Sequence, residues 1–485
     1  MDLNDINRCF KLARCDDSYV NYCENKLLKE GKANIAYLDS IMKRIKLAYK
    51  GRITGNDGFI YGYDRSNNQY KTWDNKQFTG VVRDLISNNG MHAESTEIFG
   101  KLAMNEGLNY TYEEEASEQV ELFVEDNDIE NMFLSQIEDL DWCGSLLLKL
   151  ISQNDEYYLD YVTIANYFPV FSRYSYCKVE AYVEYIEIKD DIYLFTVHER
   201  NLKRRFLGKI SMTKDEIEVI EATNELLAEV GMTVEDMQDE VLEDWEVFEI
   251  KVKRSRGRAY GDSNYSYASK TNLRDWIVID TAEGQSIDTY LKPTILASKD
   301  LAERSRDDNA EMKLDMTQDV IFADTFNGDK PFFEVVKNEY NFEGSKSIKE
   351  QKELSIYRAL NFNETATGTS EKGYNSISGK MIDMTVPIQR ATELYNAVAG
   401  AMSYICNLAL KKQGVEANLS FVMGSPMTLT QKEKIENAGL EVEYELKSKT
   451  EAIADYRNLT IDEAKEKYEE IKKDNEVAVF TETDM

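Results

Sequence analysis

Positive charge is in short supply in this sequence: 58 Lys and Arg stand against 89 Asp and Glu, a formal net charge of −31. Affinity for nucleic-acid phosphates comes mainly from Lys and Arg, so a generic phosphate-gripping surface is excluded. An acidic wall around DNA is a different matter, because like charge repels the backbone and resists sticking. Histidine is nearly absent. His92 and His198 lie far apart with no motif around either, and both read as structural. The six cysteines (Cys9, Cys15, Cys23, Cys143, Cys177 and Cys406) form no CxxC pair, which argues against zinc. Scattered thiols in an acidic chain suit a reducing cytoplasm. No apolar run reaches the ~18 residues of a membrane span, so no membrane partner is expected. The first ten residues include Asp2, Asp5 and Arg8 and have no apolar stretch, so no secretory signal is expected either.

Catalytic signatures are also missing. The chain contains no GxxxxGK[ST], no GxSxG and no HExxH. No catalytic residue, no metal and no cofactor is therefore expected, and the role is expected not to be enzymatic. Asp139 and Asp141 could hold Mg²⁺ as in a nuclease, or they could lie on a solvated helix face. Arg204-Arg205 and the run Lys251, Lys253, Arg254, Arg256 and Arg258 could contact nucleic acid or protein, or be ordinary surface. Tyr157, Tyr158, Tyr161, Tyr167 and Phe168 read as sheet and core packing.

What is present is enough for a large folded body. At 485 residues the chain predicts about three folding units of roughly 150 residues each. A 42% hydrophobic content with 30 Tyr and 19 Phe excludes a disordered chain. Apolar spacing predicts helices over 17–50, 91–106 and 128–148, the last with Asp128 as N-cap. Short strands or loop are expected over 53–80. Strands are predicted near 157–162, 179–186 and 192–197, with Lys189-Asp190-Asp191 turning a hairpin. Residues 213–243 predict an acidic amphipathic helix opened by Thr213 and Glu216. Residues 255–270 read as loop. Residues 271–291 fit either a strand or a helix, and 294–342 read as a small α/β unit turning at Asn327-Gly328-Asp329. A helix follows over 346–360. The segment 361–379 is rich in Thr, Ser, Asn and Gly and reads as a flexible loop. Residues 387–412 predict the clearest helix, with Pro387 at its first turn. Three capping boxes, Thr430 with Glu433, Ser448 with Glu451 and Thr460 with Glu463, predict a helical C-terminal array.

Several patches, in order, resemble one family. They are Ile45-Lys46-Leu47-Ala48-Tyr49-Lys50-Gly51; Asn89-Gly90-Met91-His92-Ala93-Glu94 through Asn105-Glu106; Asn131-Met132-Phe133 through Gly144-Ser145-Leu146-Leu147-Leu148-Lys149; Asp160-Tyr161-Val162 through Phe168-Pro169-Val170; and Leu459-Thr460-Ile461-Asp462-Glu463-Ala464 running into Ile471-Lys472-Lys473-Asp474. The chain resembles the portal proteins of tailed bacteriophages, especially siphophages of Gram-positive bacteria. That resemblance implies an α+β portal fold. It divides into a wing over 1–262, a stem helix over 263–291, a clip over 292–342, a second stem helix over 343–361, a tunnel loop over 362–379, a long wing helix over 380–413 and a crown over 414–485. The acidic stretch 213–243 then reads as an insertion.

The resemblance further implies a homo-oligomeric ring, usually of twelve subunits, at the vertex of a virion capsid and made in the host cytoplasm. Double-stranded DNA would pass through it during packaging and ejection. Its implied partners are the major capsid protein, the terminase large subunit, a head–tail connector or adaptor and a scaffolding protein. The tunnel-loop residues facing DNA would be Asn363, Thr365, Thr367, Lys372 and Tyr374. The clip residues facing terminase or connector would be Asp300, Glu303, Arg304, Arg306 and Asp329. Two other roles compete with this one: another virion part, of tail or baseplate, and an acidic-site nuclease or hydrolase.

Overall fold

The computed structural model describes residues 2–38, 40–41, 61–64, 69–72, 86–153, 156–211, 215–229, 231–255, 257–291, 294–298, 320–323, 333–336, 342–367, 377–426, 435, 438–439, 441–444, 447–457, 464–465, 467–469 and 471–472. Helices and sheets are mixed in an α+β arrangement.

A helix that the spacing analysis did not predict opens the chain, α1 (Leu3–Arg14). Asp2 caps it by accepting the Asn4 amide, and Ile6, Cys9, Phe10 and Ala13 form its buried stripe. The single helix expected from residue 17 is broken into α2 (Asp17–Val20), α3 (Tyr22–Lys29) and α4 (Ala33–Ala36). The main break lies at Gly31, whose φ of +68° ends α3, while the Lys32 amide turns back onto the Leu27 carbonyl at 2.8 Å. Residues 42–50 of that expectation lie outside the described residues. The pair β1 (Tyr61–Asp64) and β2 (Gln69–Thr72) forms an antiparallel ladder, as the short strands expected over 53–80 imply.

The next elements are α5 (Met91–Ala103), β3 (Asn109–Thr111), α6 (Ser117–Asp126) and α7 (Ile129–Cys143). Asp128 holds the N-cap position of α7 but at a φ of 48° and without a side-chain cap bond; its carboxylate accepts from Asn131 Nδ2 at 2.8 Å instead. The helix expected to reach 148 stops at Cys143. Gly144 takes a φ of +82°, which a left-handed cap requires, and Ser145-Leu146-Leu147-Leu148 continue as strand. A triple-leucine run satisfies a helix face or a buried strand equally. It becomes the centre of a sheet because β4 (Ser145–Gln153) has neighbours on both sides, β5 (Glu156–Thr163) and a later strand.

A second, larger sheet is built from β6 (Tyr167–Ser172), β7 (Ser175–Lys189), β8 (Ile192–Glu199), β9 (Leu202–Ser211) and β10 (Glu216–Ile220). Asp190 and Asp191 turn the β7–β8 hairpin with φ of 35° and 66°, as the sequence signal implies. The expected acidic helix over 213–243 is not there. It is replaced by β10, by α8 (Asn224–Glu229) and by β11 (Glu240–Val241), which also pairs with β9. Glu216-Ile217-Glu218-Val219 alternates with period two, and β9 offers a ladder: Ile217 lies opposite Ile210 and is 2% exposed. Thr213, the expected cap, lies outside the described residues. β12 (Val247–Lys251) then closes the first sheet in the order β12-β4-β5.

The remaining order is α9 (Tyr267–Leu291), β13 (Thr294–Ser298), β14 (Val320–Ala323), β15 (Phe333–Val336), α10 (Phe342–Ala359), α11 (Glu364–Thr367), α12 (Ile377–Lys412), β16 (Ser420–Val422) and α13 (Lys449–Arg457). Residues 271–291, ambiguous by spacing, are helix. The 294–342 unit is a three-stranded sheet, with β13 parallel to β14 and antiparallel to β15. Pro387 is not at a first turn, because α12 begins ten residues before it. Ala391, Leu394, Val398, Ala401, Met402 and Ile405 are buried as α12 runs against α5 and α7 on one side and β12 and β4 on another. Each buried Leu, Ile or Val contributes roughly 1.5–3 kcal/mol, which makes α12 the spine of the body. β16 pairs with β3, so residues 420–422 return to the body. The Ser448 box forms as expected: the Ser448 amide donates to Glu451 Oε2 at 2.7 Å and the Glu451 amide to Ser448 Oγ at 3.2 Å. Thr430, Glu433, Thr460 and Glu463 lie outside the described residues. Among the described residues, no helix is long and apolar enough to cross a membrane.

Candidate functional site

Between α9 and α10 the chain inserts the whole three-stranded unit, and the two helices return alongside each other. Their cross-bonds show the direction. Lys352 Nζ donates to Asn272 Oδ1 at 3.1 Å and meets Asp275 at 2.9 Å; Trp276 Nε1 donates to Glu353 at 2.9 Å; Lys349 meets Asp280 at 2.8 Å and also pairs with Glu283; Ser345 Oγ donates to Glu283 at 2.6 Å. Partners rise along α9 as they fall along α10, so the pair is antiparallel. At its base Leu273 and Ile277 on α9 and Ile356 and Leu360 at the end of α10 are fully buried. Towards the insert the seam is charged, and Lys349 holds the Glu283 carboxyl below the usual carboxylate range. Such half-exposed pairs each contribute about 0–1 kcal/mol and weaken with salt.

The base of the pair is tied to the body by a buried polar hub. Asp141 on α7 is fully buried, and its Oδ1 accepts from Arg390 Nη2 at 2.8 Å and Nε at 3.0 Å. Its Oδ2 accepts from Thr96 Oγ1 on α5 at 3.0 Å, and its backbone carbonyl from the Asn264 amide at 2.9 Å. Asn264 Nδ2 donates to the Leu360 carbonyl at the end of α10, and Asn361 Nδ2 donates back to Asn264 Oδ1, both at 2.9 Å. Tyr265 OH donates to the His92 carbonyl at 2.8 Å. Asp141 thus joins α5, α7 and α12 through its carboxylate and, through its backbone carbonyl and Asn264, the base of the helical pair.

His92 Nε2 lies 3.1 Å from Ser269 Oγ in the same hub, and burial, with Lys270 second, pushes the imidazole down to about 3. The unfolded value is near 6.5. The folded value lies below it, so this contribution is complete above pH ~6.5 and is lost as pH falls toward 3. Between pH 7 and pH 5 the loss is about 2 kcal/mol (6.5 − 5 = 1.5 units). His92→Gln is expected to lessen the fall in denaturation midpoint between pH 7 and pH 5, and an unchanged fall would exclude His92 as a source.

The two carboxylates considered for Mg²⁺ are each engaged within the chain rather than lying on a solvated helix face. Asp139 accepts from Trp142 Nε1 and Tyr161 OH, each at 2.8 Å, and Asp141 is committed to Arg390. Two residues apart on a helix, they point to different sides. Among the described residues no three His, Cys, Asp or Glu gather as metal ligands. His198 is buried 3.6 Å from Glu184, whose other oxygen takes Lys149 at 2.6 Å; burial lowers the imidazole.

Within the basic run Lys253 is exposed, while the other described cations are paired inside the chain. Arg254 and Lys251 pair with Glu249 at 2.9 and 3.1 Å, Arg258 with Asp17 at 2.6 Å and with Asp262, and Arg204 with Glu199. Arg205 Nη1 donates to the Asp236 carbonyl at 2.9 Å. Arg256 lies outside the described residues.

Of the residues implied for DNA contact, Asn363 is engaged within the chain. Its Oδ1 accepts the Ala366 amide at 2.9 Å, capping α11, and its Nδ2 donates to the Asp383 carbonyl. Thr365 is half-buried on α11 and Thr367 ends that helix. Lys372 and Tyr374, and all five implied clip residues, Asp300, Glu303, Arg304, Arg306 and Asp329, lie outside the described residues. The spacing analysis missed Arg390 and Asn264. A signal existed for Arg390, a lone cation directly before the apolar stripe that begins at Ala391.

The chain matches no family model and no curated protein. Two solved structures are similar to it. One is the virion of a native gene transfer agent particle, with a TM-score of 0.45 and 11% identity, covering 80% of this chain and 95% of that chain. The other is the neck of such a particle computed with C12 symmetry, with a TM-score of 0.41, 11% identity and the same two coverages. Likeness at this level identifies neither a family nor a role.

Proposed function

We propose that the chain is one subunit of a tailed-phage portal, a ring at a capsid vertex through which double-stranded DNA is packaged and ejected. The observation that carries this reading is the element order from 267 to 412. A helix, a three-stranded insert, a second helix antiparallel to the first, a segment of 17 residues that carries the short helix α11, and a long core helix follow one another. This is the order that the sequence resemblance asks of stem, clip, stem, tunnel loop and wing helix. Charge supports it as well: twelve copies at −31 carry 12 × −31 = −372 formal charges, and a like-charged lining lets DNA slide.

On this reading the role is not enzymatic and belongs to the virion. The insert, with Asp300, Glu303, Arg304, Arg306 and Asp329, docks terminase and then the connector. Thr365, Thr367, Lys372 and Tyr374 approach DNA. One cation per subunit in that segment gives a weak grip without sequence preference. Major capsid and scaffolding proteins surround the ring.

The test is negative-stain microscopy and mass measurement of the purified full-length chain. A ring with a central hole and a mass about twelve times that of one chain is expected. A monodisperse monomer or dimer overturns the proposal.

A further inference from the structure

The chain is strongly negative overall, yet one largely enclosed cluster on α9 is positive. Where α3 and the residue after α4 meet α9, Lys270 Nζ lies 3.5 Å from Glu24, and Glu24 also accepts the Tyr37 hydroxyl at 3.2 Å. One helical turn on from Lys270, the Arg274 guanidinium lies over the Tyr37 ring, 5.0 Å from its centroid. Among the described residues Arg274 has no carboxylate within ion-pair distance. The charged groups that act on Lys270 are Glu24 and Arg274, and the same carboxylate and guanidinium act on Tyr37. The cluster is therefore two cations against one carboxylate. Lys270 and Tyr37 are buried, and a charge taken from water is costly unless an opposite charge meets it. Burial holds the Lys270 ammonium below the usual lysine value in spite of Glu24, and Arg274 pushes the same way. Arg274 itself is half-buried. Its Nε is enclosed without a partner, whereas the terminal fork of the side chain is not enclosed.

We propose that Arg274 and Lys270 form a carboxylate site that a second copy of the chain completes. The inference rests on the ring reading and places one contact between neighbouring subunits at the base of the α9–α10 pair. Chemistry selects the occupant. A guanidinium fork matches the two oxygens of a carboxylate, and a neighbouring copy carries 89 Asp and Glu against 58 Lys and Arg. Subunits of a ring meet head to tail, so an acid on one face of each copy answers this cation pair on the next, and the contact repeats until the ring closes.

The experiment uses the assembled full-length chain. A water-soluble carbodiimide joins an amine to a carboxylate that it touches. Covalent dimer and monomer are then separated on a denaturing gel, and peptides containing Lys270 are identified by mass spectrometry. The monomer is expected to show Lys270 joined to Glu24. The dimer is expected to show, in addition, Lys270 joined to a different Asp or Glu. A dimer in which Lys270 is joined to Glu24 alone, or to nothing, overturns the proposal. So does a second carboxylate joined to Lys270 in the monomer, because it then comes from the same chain. Mass measurement of Arg274→Met gives the second reading. This variant is expected to need at least about tenfold more protein than wild type to assemble, while Lys253→Met, which removes an exposed cation elsewhere, assembles like wild type. Equal assembly of Arg274→Met and wild type overturns the site and leaves the ring standing. A wild-type chain that forms no ring removes the ring reading and the site together. If Arg274→Met does not fold, the cross-link on the wild-type chain decides.

Discussion

Arg390→Met is expected to cost about 3–5 kcal/mol of folding stability, the range for removing one partner of a buried ion pair. Asp141 is fully buried on α7, and Arg390, 8% exposed, is its charge partner. Without the guanidinium, the carboxylate keeps the Thr96 hydroxyl but loses both bonds to its Oδ1. Domains are stable by only about 5–15 kcal/mol, so a loss of this size consumes a large share. The damage should spread beyond the pair, because the Asp141 backbone also takes the Asn264 amide, and Asn264 ties down the end of α10. Chemical denaturation followed by circular dichroism measures the loss. Asp141→Asn combined with Arg390→Met is expected to recover part of it, since the stranded charge is then gone. A double variant as unstable as the sum of the two singles would show that the two side chains act separately.

Gly144→Ala is expected to abolish soluble folded protein. A left-handed φ of +82° costs a residue with a Cβ about 1–2 kcal/mol by itself. The larger effect is steric: that Cβ would collide with the Gly261 carbonyl oxygen and lie 2.9 Å from the Asp262 carbonyl carbon. These are backbone atoms in a network. Gly261 donates its amide to Ser145 Oγ at 2.8 Å and its carbonyl accepts Ser18 Oγ at 2.9 Å, while the Gly144 carbonyl accepts the Val252 amide at 3.1 Å. Relief would require separating the start of β4 from the 257–266 segment that carries the hub. A total above about 4 kcal/mol is expected. Gly257→Ala is the control: its φ is +88° but its Cβ would meet nothing within 4 Å, so only about 1–2 kcal/mol is expected. Equal soluble yields and melting temperatures for the two variants would show that the close approach at Gly144 does not matter.

Local chemistry made much of this architecture legible in advance. The Asp190-Asp191 turn, the Ser448 box and the α5 helix depend on residues within a few positions of one another, and each formed where the sequence placed it. The insert and α10 were legible from β-rich and helical runs, whereas α9 fitted strand or helix by spacing and was implied as a helix only by the resemblance. Local signals failed where one pattern served two structures. Leu146-Leu147-Leu148 suits helix or strand, and 213–243 was read by its acidity rather than by the period of Glu216-Ile217-Glu218-Val219. Pro387 reads as a helix start, yet α12 begins at Ile377 and carries the proline inside it.

The sequence by itself determined the charge and local features such as the Asp190-Asp191 turn and the Ser448 box, because these follow from composition and from neighbours along the chain. Only the tertiary structure decided which charges are spent inside: Asp141 on Arg390, Arg254 on Glu249, Asp139 on Trp142 and Tyr161. Asp141 and Arg390 are 249 residues apart. No period or motif links such positions, because a buried charge takes whatever partner the packing of distant elements brings within about 3 Å of it.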